Sequence, residues 1–295
     1  MEKCELCPRK CGVDRATKRG YCGQTNEIRV ARAAPHMWEE PCISGKNGSG
    51  TIFFCGCTLG CVYCQNAAIS RCDSDIRGKA VGIGELADVF LRLQQIGVHN
   101  INLVTPTMFA PSLRTVVDIA RASGLTIPIV YNTSGYEAVE GLAYMADKTD
   151  IYLPDFKYIS PDLAKRYSHA EDYPEHATTS LAYMVKRIGR ALFDDNGMMK
   201  RGIIVRHLLL PGQLTESIRV LDYLFGEYGN DIYYSLMSQY TPMSSLDREA
   251  YPELDRGVTS YEYNKLVEHA ISLGLCNGFI QDVGSAKESF IPDFN

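Results

Sequence analysis

The chain has 295 residues, 45% of them hydrophobic and 22% charged, a composition that suits one globular domain with a large core. Its formal net charge of −5 argues against a nucleic-acid backbone as the main partner, because that contact needs clustered Lys and Arg. The longest apolar runs have strand length, far short of the roughly 20 residues of a membrane helix, so no membrane partner is expected.

The N-terminus lacks the apolar stretch of a signal peptide. Eleven cysteines then point to a reducing cytoplasmic setting and to metal rather than disulfides. Residues 1–49 read as a Cys-rich metal-binding extension, 50–283 as the main domain and 284–295 as a tail. The extension carries Cys4, Cys7, Cys11 and Cys22, and four thiolates in so short a run signal a metal centre. A closed zinc knot and a second 4Fe-4S cluster each use four Cys, and the spacings do not choose between them. His36 and Trp38 read as a packed pair. The stretch Gly45-Lys46-Asn47-Gly48-Ser49-Gly50 has the wrong order for a phosphate-binding loop and reads as a turn before a strand.

A strand over 51–54 runs directly into Cys57-Thr-Leu-Gly-Cys61-Val-Tyr-Cys64-Gln-Asn66. Beyond it, β-rich runs at 101–104, 127–131, 151–153, 203–210, 232–236 and 279–280 alternate with helical stripes at 86–96, 113–120, 218–225 and 266–273. Three of the helices stop at Gly97, Gly124 and Gly274. This alternation predicts an α/β fold of βα units on a parallel sheet, curled into a full or partial (β/α) barrel. Function then sits at the C-terminal ends of the strands, the rim onto which the Cys57 loop opens. Residues 241–258 form a long polar connection, read as a lid, a partner-docking surface or a solvated insertion. Cys42, Cys55, Cys72 and Cys276 have no assigned role and read best as isolated thiols.

Three thiolates on one short loop can cap three irons of a 4Fe-4S cube and leave the fourth iron open, whereas such clusters are usually held by four Cys. That suits a cluster acting on a bound small molecule rather than one that only carries electrons. Inert thiols are usually scattered, and zinc sites more often show paired C-x2-C units.

The C-x3-C-x2-C loop, with Tyr63 before its last Cys, resembles that of the radical S-adenosylmethionine (radical SAM) enzymes. The resemblance implies Cys57, Cys61 and Cys64 as ligands of a 4Fe-4S cluster, with S-adenosylmethionine on the open iron, and a partial barrel of the radical SAM type. Cys64-Gln65-Asn66 is similar to Cys-His-Asn of the pyruvate formate-lyase activating enzymes, which implies a cofactor contact for Asn66 and adenine packing for Tyr63. Asn132-Thr133-Ser134-Gly135 is similar to that branch's Asp-Thr-Asn-Gly, so Asn132 would meet the ribose, without the charge of an Asp, and Ser134 is a further cofactor-binding candidate. Leu153-Pro154-Asp155-Phe156-Lys157 is similar to Leu-Asp-x-Lys, which implies Lys157 on the cofactor carboxylate and Asp155 in support. Arg206, inside an apolar strand, is either a further cofactor contact or a structural ion pair. The second strand ends at Thr105, where the family often has Gly-Gly-Glu, and a hydroxyl would have to serve for the methionine amino group. Gln239 stands where the activating enzymes present a His.

The N-terminal run, Glu39-Glu40-Pro41-Cys42 and Gly48-Ser49-Gly50-Thr51 resemble an uncharacterised group of activating-enzyme homologues, the PflX-like proteins, over most of the chain. The expectation is an oxidoreductase that reductively cleaves S-adenosylmethionine to a 5′-deoxyadenosyl radical and abstracts hydrogen from a target. A glycyl residue of a partner enzyme, a peptide and a small metabolite are the candidate targets. A donor such as flavodoxin or ferredoxin would supply the electron. The competing classes are a two-cluster electron-transfer protein and a zinc module fused to an inert barrel.

Overall fold

The computed structural model describes residues 3–70 and 78–281; Cys72 and the 284–295 tail lie outside them. Among these residues the strands are β1 (Arg29–His36), β2 (Ser49–Phe54), β3 (Lys79–Ala80), β4 (Ile101–Val104), β5 (Ile129–Thr133), β6 (Ile151–Pro154), β7 (Leu192–Phe193), β8 (Met199–Leu208), β9 (Tyr233–Met237) and β10 (Gly278–Ile280). Seven of them, β2, β4, β5, β6, β8, β9 and β10, lie side by side in chain order. Each is parallel to its neighbour. Helices Ile83–Gln95, Ala110–Ala122, Tyr173–Ile188, Leu214–Tyr228 and Ser260–Ser272 pack their apolar faces on this sheet, as crossovers between parallel strands must.

Strand side chains alternate between the two faces. Tyr131, Tyr152, Ile203 and Val205 join the large core beneath the helices. The alternate residues Val130, Ile151, Leu153 and Ile204 form a second, smaller core with Cys42 and Ile43, which belong to the short helix Pro41–Ser44. The extension thus plugs the concave side of the sheet. Asn100 fastens the plug, donating to the Ile43 carbonyl at 2.8 Å while accepting from the Ser49 hydroxyl at 2.6 Å. One step further along the same inward positions the residues become polar: Asn132, Asp155 and Arg206. The sheet therefore has an apolar floor and a polar rim.

Several elements depart from the sequence reading. β1 lies within 1–49 and pairs antiparallel with β2, and β3 covers its outer edge. Its mixed run RVARAAPH lacks an apolar alternation because only part of it is buried. Helices Pro161–Ser168 and Tyr173–Ile188 stand where no periodicity was read. The first had a legible start: Ser160 accepts from the Leu163 N–H, and Pro161 occupies the first turn. β8 begins at Met199 rather than 203 because β7 turns back on it as a hairpin.

Glu137, just past β5, is 1% exposed. It accepts from the Thr107 hydroxyl at 2.6 Å and from that of Thr133. Burial outweighs both bonds and pushes its carboxyl up to about 7 from 4.5. A raised carboxyl pKa means that the folded state holds the proton more tightly, so its contribution is fully present below pH 4.5 and is lost as pH rises through 7. Glu137→Gln should flatten this dependence. Denaturant unfolding should show the variant gaining up to about 3 kcal/mol on wild type between pH 4.5 and 8.

Candidate functional site

The rim surrounds a cavity of about 470 Å³, within the range of small-molecule sites. Each parallel strand contributes at its C-terminal end. β2 runs into the Cys57–Asn66 loop, β4 into Thr105, β5 into Asn132–Ser134, β6 into Asp155 and Lys157, β8 carries Arg206, and β9 leads to Gln239. Cys57, Cys61 and Cys64 therefore share this cavity with Tyr63, Asn66, Thr105, Asn132, Ser134, Asp155, Lys157 and Arg206. The sequence offers these residues from five separate stretches, 57–66, 105, 132–134, 155–157 and 206.

The cysteine loop is held tightly. Gly56 and Gly60 take φ of 86° and 80°, a region open to glycine. The Gly56 N–H donates to Ile69 and the Val62 N–H to Tyr167, both at 2.8 Å. Burial, then the neighbouring Cys61 and Cys64, push the Cys57 thiol up to about 12. Burial, then Cys61, raises Cys64 as well. Cys57 and Cys64 therefore resist ionisation unless a cation is shared between them, and metal ligation of cysteine requires the thiolate. Donors already face the sulfurs: the Ser168 hydroxyl meets Cys61 Sγ at 3.0 Å, the Ser70 hydroxyl Cys64 Sγ at 3.4 Å and the Leu59 N–H Cys57 Sγ at 3.4 Å. Among the described residues no three His, Cys, Asp or Glu side chains are drawn into a finished metal site. The fit to an iron–sulfur cluster rests on this donor set, its burial and the hydrogen bonds turned toward it.

Lys157 donates to Asp155 at 2.6 Å. Burial alone would push the ammonium down, but the Asp155 carboxylate more than offsets it, so Lys157 stays charged. Tyr63 is buried, its hydroxyl 2.5 Å from that of Tyr158, which in turn lies 3.1 Å from Ser168 Oγ. A chain of hydroxyls thus runs from Tyr63 to the Cys61 sulfur. Thr105 sits at φ 58° with its N–H on the Asn132 carbonyl at 2.8 Å. A β-branched residue is strained there, so the backbone keeps a conformation suited to glycine although the residue is Thr. Gln239 lies on the wall, its carbonyl accepting from Gln65 and its side chain from Gln281, both at 2.9 Å.

Arg206 is saturated by two carboxylates from the extension. Its Nε and one terminal nitrogen meet Glu40 at 2.8 and 2.7 Å, and that nitrogen also meets Glu39. Glu39 accepts further from Asn102 at 2.8 Å. Burial raises the Glu40 carboxyl, and Arg206 overrides this to hold it below its usual range. The ion-pair alternative for Arg206 is thus present, while the residue also faces the cavity. Sequence reasoning noted Glu39 and Glu40 but did not pair them with it. It missed Ser168, Ser70 and Tyr158, whose residue types carry no signal. His36 lines the same cavity and packs edge-on against Phe53 at 5.9 Å, while Trp38 stays 59% exposed. Cys42 and Cys55 are buried and Cys276 is exposed.

The N-terminal cysteines lie close to one another. Cys4 hydrogen-bonds Cys11, and burial, with smaller contributions from Cys4 and Cys11, pushes the Cys22 thiol up. Burial, first of several causes, pushes Cys7 up to about 12. Segment 241–258 packs on helix Pro161–Ser168 through Glu253, which meets Arg166 at 2.9 Å and Tyr167 at 2.8 Å. No helix among the described residues is long and apolar enough to cross a membrane.

No family model matches the chain. It is 29% identical over 279 residues to the uncharacterised protein MJ0674 of Methanocaldococcus jannaschii, covering 92% of this chain and 75% of that one. Among solved structures it is similar to Streptococcus suis SuiB bound to precursor peptide SuiA, with a TM-score of 0.53, 11% identity, and 78% and 47% of the two chains covered. SuiB bound to S-adenosylmethionine aligns with a TM-score of 0.50. Methylornithine synthase (PylB) aligns with a TM-score of 0.53 at 13% identity, over 76% of this chain and 60% of that one. The chain thus spans about half to three fifths of these two proteins, and the likeness is one of fold. That fold is the partial (β/α) barrel of the radical SAM type, with a Cys-rich extension at the N-terminus.

Removing Arg206 would strand two buried carboxylates, so Arg206→Ala should cost about 3–5 kcal/mol. Denaturant unfolding at pH 7 measures this, and an unchanged midpoint would mean the pair is exposed in solution.

Proposed function

We propose that the protein is a radical SAM enzyme that cleaves S-adenosylmethionine reductively and uses the product radical to remove hydrogen from a target. The observation that carries this reading is the placement of three loop thiols, Cys61 buried and Cys57 and Cys64 partly so, on the same cavity as eight polar and aromatic residues of the loop and strand ends. A 4Fe-4S cluster held by Cys57, Cys61 and Cys64 would supply the electron for that cleavage.

The chain's own residues would bind and orient. Lys157, kept charged by Asp155, is suited to a carboxylate. Asn132 and Ser134 are suited to ribose hydroxyls, Tyr63 and Asn66 to the adenosine end, and the Thr105 region to the amino group. Arg206, engaged by Glu39 and Glu40, would shape the cavity more than hold the cofactor directly. The four N-terminal cysteines would hold a second metal centre, zinc or 4Fe-4S.

For the target we favour a glycyl residue of a partner enzyme, with flavodoxin or ferredoxin as the donor in a cytoplasmic setting. The support is the likeness of 64–66, 132–135 and 153–157 to the activating enzymes. A peptide or small-metabolite target is the second reading. It is favoured by the fold shared with SuiB, crystallised with a precursor peptide, and with methylornithine synthase.

After anaerobic reconstitution with iron and sulfide, reduction and addition of S-adenosylmethionine, wild type should release 5′-deoxyadenosine and a Cys57/Cys61/Cys64→Ala triple variant should release none. Wild type that holds the cluster and releases none would overturn the reading. Ser168→Ala removes a hydrogen bond to Cys61 worth about 1 kcal/mol, and the part of it that strengthens on reduction should lower the cluster's one-electron potential by up to about 40 mV. Redox titration followed by electron paramagnetic resonance should read that shift.

A further inference from the structure

The two cysteine sets, far apart in purpose on the sequence, touch in the fold. A Cβ on Gly56 would overlap the Cys22 carbonyl oxygen, and one on Gly60 would lie 3.7 Å from the Tyr21 hydroxyl. A second cavity is lined by Tyr21, Cys22, Cys57, Gly60 and Ser70 together.

One residue joins them directly. Arg9 lies between Cys7 and Cys11, and its backbone N–H faces the Cys7 sulfur. Its guanidinium reaches away from that group to the other loop. Nε donates to the Thr58 carbonyl at 3.0 Å, and one terminal nitrogen donates to the Leu59 carbonyl at 3.0 Å and the Ser168 carbonyl at 3.3 Å. The other donates to the His169 carbonyl at 2.7 Å. Thr58 and Leu59 are two of the three residues between Cys57 and Cys61, and both are buried. Ser168 is the residue whose hydroxyl meets Cys61 Sγ. The guanidinium is itself packed between the Tyr21 and Tyr136 rings, 4.1 and 5.0 Å from their centroids. A planar fork with five donors can serve four carbonyls at once, and a lysine ammonium cannot reproduce that geometry.

We propose that Arg9 is a positioning residue through which a thiophilic metal centre on Cys4, Cys7, Cys11 and Cys22 holds the Cys57–Cys64 loop in the shape that retains its cluster. The proposal rests on reading the N-terminal cysteines as a metal site. Metal bound there fixes the backbone on both sides of Arg9. The guanidinium then ties the loop's first span to the end of helix Pro161–Ser168, which sets the distance between Cys57 and Cys61. A chain without N-terminal metal lets Arg9 wander and loosens the loop.

The test uses the full chain reconstituted with ferrous iron and sulfide in the presence of zinc. Metal and sulfide per chain, the rate of cluster bleaching by a chelator, and hydrogen exchange of the 57–64 peptide are measured for each variant. Wild type should carry metal beyond one 4Fe-4S cluster. A Cys7/Cys11→Ser variant should lose that excess, bleach roughly tenfold faster and exchange faster at 57–64. Arg9→Gln should keep the excess metal yet reproduce the faster bleaching and exchange, and Arg9→Lys should fall between. Thermal unfolding of both Arg9 variants controls for misfolding, and Arg9→Lys keeps the charge should Arg9→Gln fail to fold. Arg9→Gln or Arg9→Lys that keeps the N-terminal metal and bleaches at the wild-type rate would overturn the coupling. Wild type holding only the loop's cluster would overturn the metal reading beneath it, a distinct result.

Discussion

A guanidinium inside a β-strand must find counter-charge nearby, because little water reaches it. Arg206 finds it on Glu39 and Glu40, some 166 residues away in the chain. That attraction draws the N-terminal extension into the concave side of the sheet. Much else follows from it. Cys42 and Ile43 close the apolar floor, β1 is carried alongside β2, and the cavity acquires a bottom. Without those carboxylates the parallel strands would enclose an open trough with an unpaired charge in it.

Above that floor, the parallel arrangement concentrates chemistry. Each strand brings its C-terminal end to the same rim, and strict alternation sends every second residue inward. The polar inward residues of five strands therefore meet, although they are far apart along the chain. The thiols of the Cys57 loop face them from one side. Burial disfavours three thiolates in one place, while Ser168, Ser70 and a backbone N–H are already turned toward the sulfurs. A site that penalises bare thiolates yet offers donors to them is suited to a cationic cluster, whose charge the thiolates would share. Thr105 adds a strained backbone at the same rim, held there by its bond to Asn132.

The extension has a second role on the outer side of the loop. Its cysteines, Arg9 and Tyr21 pack behind Gly56 and Gly60, so the loop lies between the cavity and the N-terminal thiols. Arg9 and the Cys22 carbonyl are the contacts by which residues 4–22 meet the loop's backbone.

The sequence by itself determined the α/β class, the alternation of strands and helices, and the cysteine loop at a strand end. Those depend on local periodicity, on glycines and on the spacing of thiols, all of which are written in short windows. It also marked the residues that line the cavity, since strand ends are recognisable and the fold sends them to one rim. Their bonding to a cofactor is a chemical proposal that short windows alone do not establish. Only the tertiary structure decided that Arg206 faces Glu39 and Glu40, that Ser168 reaches Cys61, and that Arg9 spans the two cysteine sets. These contacts join residues between 107 and 167 positions apart or, for Arg9, elements 49 to 160 positions apart. Nothing in a serine or an arginine foretells such a partner. It is selected by chain packing, which brings distant backbone together and leaves each buried donor to find the acceptor that lies there.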